Sequence, residues 1–125
     1  MNIEVLARTE LRLTRLDLDD LNINLADQTL KYSAIAMFVS SLARCSFAVL
    51  DHYAMRMEAT TENIAIELAW NFTNDNKRIY QINMHIYWSE LADNRIKPVE
   101  RASHKCMISN TIKDCITINT TVVNS

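Results

Sequence analysis

The sequence contains no glycine in 125 residues, and this absence restricts what the chain can fold into. At the usual frequency of about 7%, a chain of this length carries about nine glycines. Phosphate-binding loops, dinucleotide-binding turns and the nucleophile elbow of α/β hydrolases all need glycine at fixed positions, so the sequence argues against each of them. Because Pro98 is the only proline, we expect the turns to be formed by Asn and Asp, which tolerate left-handed backbone well.

Length and charge set the broad class of protein. A chain of 125 residues is enough for one compact domain, which we expect to span 1–125. The 13 basic and 15 acidic residues give a net charge of -2 without a long block of one sign, so we expect neither a nucleic acid nor a membrane as partner. The first twenty residues lack the apolar core of a signal peptide, which predicts a cytoplasmic location.

Hydrophobic periodicity predicts a hairpin followed by a long helix. The hairpin is predicted from residues 2–15 and 21–25, with its turn at the acidic residues of 17–20. Apolar residues then follow helical spacing from Ser33, a natural N-cap, to Met57. Because the first half of this helix is apolar nearly all round, we expect it to be buried inside the domain.

The second half of the chain predicts another hairpin, a short helix and a last strand. Apolar side chains alternate over 64–72 and again over 80–88. Pro98 suits the first turn of a helix, which a polar segment at 109–114 connects to a strand over 116–123. The order β-β-α-β-β-α-β predicts an α+β domain, in which an antiparallel sheet wraps a long buried central helix.

Two of the three cysteines lie at positions where chemistry is conceivable. Cys45 falls in the middle of the long helix, on the same stripe as Phe38 and Val49, where a small core residue is the alternative interpretation. Cys106 lies at the end of the second helix, and Ser109 and Asn110 are suited to cap a following turn whose amides point back at the sulfur. The odd number of cysteines and the reducing compartment indicate free thiols rather than structural disulfides.

A metal site is the other use that cysteines and histidines suggest. His52 lies seven residues after Cys45, and His104 lies two residues before Cys106. This spacing is not one that zinc sites use, so we predict no metal. Cys115 lies at the edge of the last strand, where we expect no role for it.

The segments around Cys45 and Cys106 resemble the OsmC-like family, which includes the organic hydroperoxide resistance proteins. SSLARCSFAVLDHYAMRME, from Ser40, is similar to the cysteine-bearing central helix of that family. HKCMISNTIKDCITINTTVV, from His104, is similar to its C-terminal stretch with the second cysteine. The two segments agree with the family in order and spacing, and the hairpin between them falls where the family has one.

This resemblance implies an intertwined homodimer with thiol sites at the subunit interface. It also implies a thiol peroxidase without a cofactor, which acts on small organic or fatty hydroperoxides and is restored by a dithiol reductant. Cys45 would be the peroxidatic thiol, and Cys106 would resolve its sulfenic acid as a disulfide. The long helix is also apolar on more faces than one sheet can cover, which independently favours a partner chain.

The sequence departs from the family where thiol activation is concerned. Many members carry a Pro-Glu pair before the first cysteine, and this chain has AIA at 34–36, so the glutamate that orients the activating arginine is absent. Arg8, Arg12 and Arg15 match the family's arginine only by location. Because a thiol without a nearby cation is poorly activated, the alternative function is a catalytically weakened dimer that binds a small hydrophobic ligand.

Overall fold

A computed structural model of the chain describes residues 1–16, 22–23 and 34–124. It has the predicted α+β class. Its elements in chain order are β1 (Asn2–Ala7), β2 (Glu10–Thr14), β3 (Asn22–Ile23), α1 (Ala34–Met57), β4 (Ala65–Phe72), β5 (Ile79–Tyr87), a 3-10 turn (Asp93–Arg95), α2 (Ile96–Ser103), α3 (Met107–Ile112) and β6 (Thr117–Val123).

In the described part of the chain the strands form one six-stranded sheet, in the order β3-β1-β2-β4-β5-β6. The three central pairs are antiparallel, as predicted. The two outer pairs, β1 with β3 and β5 with β6, are parallel, so the sheet is mixed and the prediction of a wholly antiparallel sheet is wrong. A parallel pair needs a crossover connection, and α2 and α3 provide it between β5 and β6.

The first hairpin differs from the prediction. The chain reverses at Arg8 and Thr9, between the paired residues Ala7 and Glu10. The predicted turn at 17–20 lies outside the described residues, and β3 beyond it pairs parallel to β1 instead of closing a hairpin. A turn built without Gly, Pro, Asn or Asp leaves no signal in a sequence, which explains the error.

Left-handed backbone falls on residues other than glycine. Arg15, Glu58 and Asn76 have φ angles of 53°, 55° and 58°, so among the described residues only one of the three is of the predicted Asn or Asp type. Glu58 follows α1, where the Ala59 N–H donates to the Ala54 carbonyl at 3.1 Å. This is the Schellman cap, whose left-handed position is usually glycine. A glutamate there costs about 1–2 kcal/mol of local strain.

The central helix α1 packs on the inner face of the sheet. Its buried residues join the inward side chains of β2, such as Leu11 and Leu13, in one hydrophobic core. The opposite side exposes Met37 and Met55, at 62% and 73% of their surface. One sheet thus covers one side of the helix. By length and composition alone α1 would suit a membrane span, a test that the core helix of a soluble protein also passes.

The two short helices position the second cysteine. Pro98 lies in the first turn of α2, as predicted. The polar segment at 109–114, predicted to be a connection, is largely helical, because α3 begins at Met107. Cys106 is the N-cap of α3, and its sulfur accepts from the Ser109 N–H. Since cysteine is not one of the usual capping residues, the sequence does not mark this helix start.

Candidate functional site

The fold brings Cys45 and Cys106 together. Cys45 lies in the middle of α1 and is half-buried, whereas Cys106 at the start of α3 is 1% exposed. The Cys45 thiol lies close enough to the Cys106 thiol to contribute to the raised pKa of Cys106. Both cysteines are free thiols. This proximity is what a redox pair needs first, because a disulfide forms only between sulfurs within reach of each other.

The Cys106 sulfur accepts hydrogen bonds from two neutral donors. The backbone N–H of Ser109 donates to it at 3.2 Å, and the hydroxyl of Ser46 donates to it at 3.7 Å, a distance that suits a sulfur acceptor. Ser46 is completely buried. Ser46 is not among the site residues predicted from the sequence. Its position next to Cys45 is the only signal, and a rotation of about 100° per helical residue turns its side chain away from that of Cys45 and toward the core.

Burial raises the pKa of the Cys106 thiol above its ordinary value, because the thiolate would lose its hydration. The Ser109 amide and the Ser46 hydroxyl oppose this effect by donating to the sulfur, and the neighbouring Cys45 thiol adds to it. Among the described residues, none of the groups that shift the pKa of Cys106 is a cation. At neutral pH Cys106 therefore carries its proton.

Of the three candidate arginines, Arg12 is the one that lies within a strand, and its side chain is on the outer face of the sheet. Its Nη1 donates to Oε1 of Glu67 at 2.6 Å, and its guanidinium lies 5.6 Å from the centre of the Tyr87 ring. The Tyr87 hydroxyl donates to Oε2 of Glu67 at 3.0 Å, and this bond raises the pKa of Tyr87. Arg8 in the first turn and Arg15 after β2 are both exposed. In this arrangement Arg12 therefore does not activate Cys45 of the same chain.

Among the described residues, the other candidates are not part of the group that acts on the Cys106 sulfur. Cys115 is exposed just before β6. Arg44 turns its guanidinium over the Phe47 ring, 5.5 Å from its centre. His52 and His104 are exposed. Within the ranges that the structure describes, no three His, Cys, Asp or Glu side chains are grouped so that they could hold a metal ion.

The sequence model of the family described as OsmC-like protein matches residues 26–121. The chain belongs to the OsmC-like family. Among curated protein sequences, none matches the chain.

Solved structures share the fold. An OsmC-like protein of Mycoplasma pneumoniae is 21% identical, with a TM-score of 0.63 over 74% of this chain and 71% of that one. A protein of Psychrobacter arcticus, assigned to osmotic stress induction and detoxification response, is 16% identical, with a TM-score of 0.69 over 97% and 93%. An organic hydroperoxide resistance protein OsmC of Legionella pneumophila is 17% identical, with a TM-score of 0.58 over 69% and 65%. At these identities the likeness concerns the fold.

Proposed function

We propose that the protein is a thiol peroxidase that reduces organic hydroperoxides, with Cys45 as the peroxidatic thiol and Cys106 as the resolving thiol. The observation that carries this proposal is the proximity of the two thiols in a member of the OsmC-like family. Cys45 takes the first step because it is only half-buried, and a hydroperoxide reaches it more easily than the enclosed Cys106.

The proposed reaction balances with two thiols and an external dithiol. The Cys45 thiolate attacks the distal oxygen of the hydroperoxide, the O–O bond breaks, and the alcohol leaves after taking up a proton. Cys45 is then a sulfenic acid. The Cys106 sulfur attacks it, water leaves, and the Cys45–Cys106 disulfide forms. A dithiol reductant reopens this bond by exchange and is itself oxidised to a disulfide.

The second candidate is a catalytically weakened protein that binds a small hydrophobic ligand. The raised pKa of Cys106, and the position of Arg12 against Glu67 on the other face of the sheet, favour it. A peroxidatic thiolate without a cation beside it lacks a few kcal/mol of transition-state stabilisation. This lowers the rate of peroxide reduction by about a hundredfold or more. Under either function we expect slow peroxide chemistry compared with a relative that has an arginine at its thiol.

The homodimer is also our proposal, and the exposed side of α1 supports it. Met37 and Met55 are exposed at 62% and 73%, and the small residues Ser41 and Ala48 between them are exposed as well. Exposed apolar side chains on one stripe mark an interaction surface. A second copy packed on this stripe would bury on the order of 2,000 Å². Sedimentation at micromolar concentration should give a dimer, whereas a stable folded monomer would contradict this part of the proposal.

The peroxidase proposal is tested by consumption of cumene hydroperoxide with dithiothreitol as the reductant. Cys45→Ser should lower the rate by about a hundredfold or more. Cys106→Ser should leave a Cys45 sulfenic acid that dimedone traps. Cys115→Ser, which removes an exposed thiol outside the pair, is the matched control and should leave the rate unchanged. Consumption that is unaffected by Cys45→Ser would refute the assigned roles, and a wild type without activity would favour the second candidate.

A further inference from the structure

The hydroxyl of Ser46 has an unusual partner for a residue in the middle of a helix. Ser41, Ser103 and Thr111 donate to backbone carbonyls three or four residues earlier in their own helices, at 2.6, 2.7 and 2.7 Å. Such a carbonyl is the common partner of a hydroxyl inside a helix. The Ser46 hydroxyl instead donates at 3.7 Å to the Cys106 sulfur, 60 residues away in the sequence.

This partner is a weak one while the sulfur is neutral. A thiol sulfur is a poor acceptor, whereas a thiolate accepts a charge-assisted hydrogen bond that is much stronger. Ser46 is completely buried, so water does not compete for its hydroxyl. The backbone N–H of Ser109 is a second donor to the same sulfur, at 3.2 Å. Two donors around one enclosed sulfur therefore suit a step in which Cys106 carries a negative charge.

Reopening of the Cys45–Cys106 disulfide contains such a step. In thiol–disulfide exchange the incoming thiolate attacks one sulfur and the other sulfur leaves as a thiolate. Access determines which sulfur is attacked. Cys45 is half-buried, whereas Cys106 is 1% exposed and offers a dithiol no path. The reductant therefore attacks Cys45, and Cys106 is the leaving group.

Cys106 is a poor leaving group unless its thiolate is stabilised. A thiol leaves faster when its pKa is lower, but burial raises the pKa of Cys106. Among the described residues no cation opposes this effect, and the hydroxyl of Ser46 and the N–H of Ser109 are the groups that do. Release of the Cys106 thiolate thus depends on these two donors.

We propose that Ser46 is a catalytic residue of the reductive half-reaction, in which its hydroxyl stabilises Cys106 as the thiolate that the disulfide releases. This inference rests on the proposed function, because its substrate is the Cys45–Cys106 disulfide. One thiolate of the dithiol attacks the Cys45 sulfur, the S–S bond breaks, and the electron pair of that bond stays on the Cys106 sulfur.

The second thiolate of the reductant completes the reaction. It attacks the reductant's own sulfur in the mixed disulfide, Cys45 leaves as a thiolate, and the reductant closes into a cyclic disulfide. The two protons that the dithiol gives up end on Cys45 and Cys106. Two electrons have then passed from the dithiol to the protein disulfide.

The resolving step is less sensitive to Ser46 than the reductive step. When Cys106 attacks the Cys45 sulfenic acid, a donor at its sulfur increases the fraction of thiolate but lowers the nucleophilicity of that thiolate, so the two effects partly cancel. No such cancellation applies to a leaving group. Loss of the Ser46 hydroxyl should therefore slow reduction of the disulfide more than its formation.

The reductive half-reaction is measured on its own, in a Cys115→Ser background that removes the exposed third thiol. Diamide forms the Cys45–Cys106 disulfide, excess oxidant is removed, and dithiothreitol is added. Samples are quenched with acid at intervals and alkylated, and mass spectrometry follows the loss of the disulfide. Ser46→Ala should slow this reduction by about tenfold, because one hydrogen bond to a developing charge is lost.

Two further variants make the result specific to the Ser46 hydroxyl. Ser46→Thr keeps the hydroxyl and should recover most of the parent rate. Ser41→Ala is the matched control on the same helix, and should leave the rate unchanged because its hydroxyl donates to a backbone carbonyl. Circular dichroism checks that each variant folds. A folded Ser46→Ala protein that is reduced as fast as its parent, or no faster than Ser41→Ala is, would overturn the proposal only in the first case if Ser41→Ala matches the parent, and in both cases if it does not.

A monothiol identifies the sulfur that is attacked. One equivalent of 2-mercaptoethanol stops at the mixed disulfide, because it has no second thiol to complete the exchange. Peptide mass spectrometry after a rapid acid quench should find the adduct on Cys45, with Cys106 released as a thiol. An adduct on Cys106 would overturn the proposal, since Cys45 would then be the leaving group.

The use of diamide separates this inference from the peroxidase proposal. A protein that consumes no cumene hydroperoxide, but whose disulfide is reduced tenfold more slowly in Ser46→Ala, would refute the proposed function alone. An active peroxidase without this effect of Ser46→Ala would refute the role of Ser46 alone. Failure of diamide and of the hydroperoxide to link Cys45 with Cys106 would refute both.

Discussion

The two faces of the sheet hold their polar groups in different ways. On the outer face, Arg12 and Glu67 form an ion pair, which Tyr87 joins through a hydrogen bond, and water reaches the pair. On the inner side, the Cys106 sulfur accepts hydrogen bonds from two neutral donors, and no described cation acts on this buried sulfur. An ion pair is easily kept in contact with water, whereas a charge inside the core has to lose its hydration. The sheet thus separates the Arg–Glu pair of this chain from its thiol pair.

Strand alternation is the cause of this separation. Successive side chains of a strand point to opposite faces. Leu11 and Leu13 of β2 are completely buried against α1, and Arg12 between them therefore points outward. Glu67 on β4 is paired in register with Arg12, so its carboxylate lies on the same outer face. Moving the arginine to the thiol side would require a shift of one residue, which would also expose both leucines.

The largest expected difference between the two faces is one of stability. Leu13→Ala should lower the free energy of unfolding by about 2–5 kcal/mol, because the side chain is fully buried and leaves a cavity. Arg12→Ala should cost less than about 1 kcal/mol, because the Arg12 and Glu67 side chains are 36% and 27% exposed and water screens the pair. Urea unfolding of the two variants decides this. Equal losses would show that the outer pair stabilises the fold far more than we infer.

The next effect concerns the reactivity of Cys106. Ser46→Ala removes a donor to its sulfur and should raise the pKa of Cys106 further, so that less thiolate is present at any pH below it. Alkylation of Cys106 at a fixed pH should then slow on the order of tenfold, and its pH profile should move to higher pH. Peptide mass spectrometry after iodoacetamide treatment measures this rate.

Ser41→Ala is the control for that experiment, since Ser41 lies on the same helix and its hydroxyl donates to the Phe38 carbonyl instead of to a thiol. Ser46→Thr keeps the hydroxyl and should retain more of the wild-type profile than Ser46→Ala does. If Ser41→Ala and Ser46→Ala shift the profile equally, the Ser46 hydroxyl has no specific effect on the sulfur.

The smallest effect is expected on the outer face. Glu67→Gln replaces the carboxylate that accepts from the Tyr87 hydroxyl, and should lower the pKa of Tyr87 toward its ordinary value. The sign follows from the charge, since a carboxylate beside a phenol disfavours the phenolate. Ultraviolet titration of tyrosinate, with Tyr87→Phe to assign the signal, measures the shift. An unchanged midpoint would mean that the bond to Glu67 does not govern this titration.

Much of the fold could be predicted because its signals are local. Alternation over 64–72 and 80–88 predicts a hairpin, and the structure has strands at Ala65–Phe72 and Ile79–Tyr87. The helical stripe that ends at Met57 predicts α1 with nearly its observed bounds. Each of these elements has a period that burial on one face imposes on its own residues.

The rest depends on contacts between segments that are distant in the sequence. Nothing within β6 indicates that it pairs parallel to β5, because orientation depends on the crossover through α2 and α3. The roles of Cys45 and Cys106 are predicted through the family resemblance, and the two thiols come near each other only when α3 packs beside α1. The role of Ser46 could not be predicted for the same reason, since its hydrogen-bond partner Cys106 is at the start of the other helix.

The central claim is that Cys45 and Cys106 form one redox pair, and disulfide mapping after oxidation tests it most directly. The reduced protein is treated with one equivalent of cumene hydroperoxide, its remaining thiols are alkylated, and the peptides are analysed without reduction. We predict a disulfide between Cys45 and Cys106 of one chain, with Cys115 recovered as an alkylated thiol. Recovery of Cys45 and Cys106 as alkylated thiols, with Cys115 alone cross-linked between chains, would contradict the account.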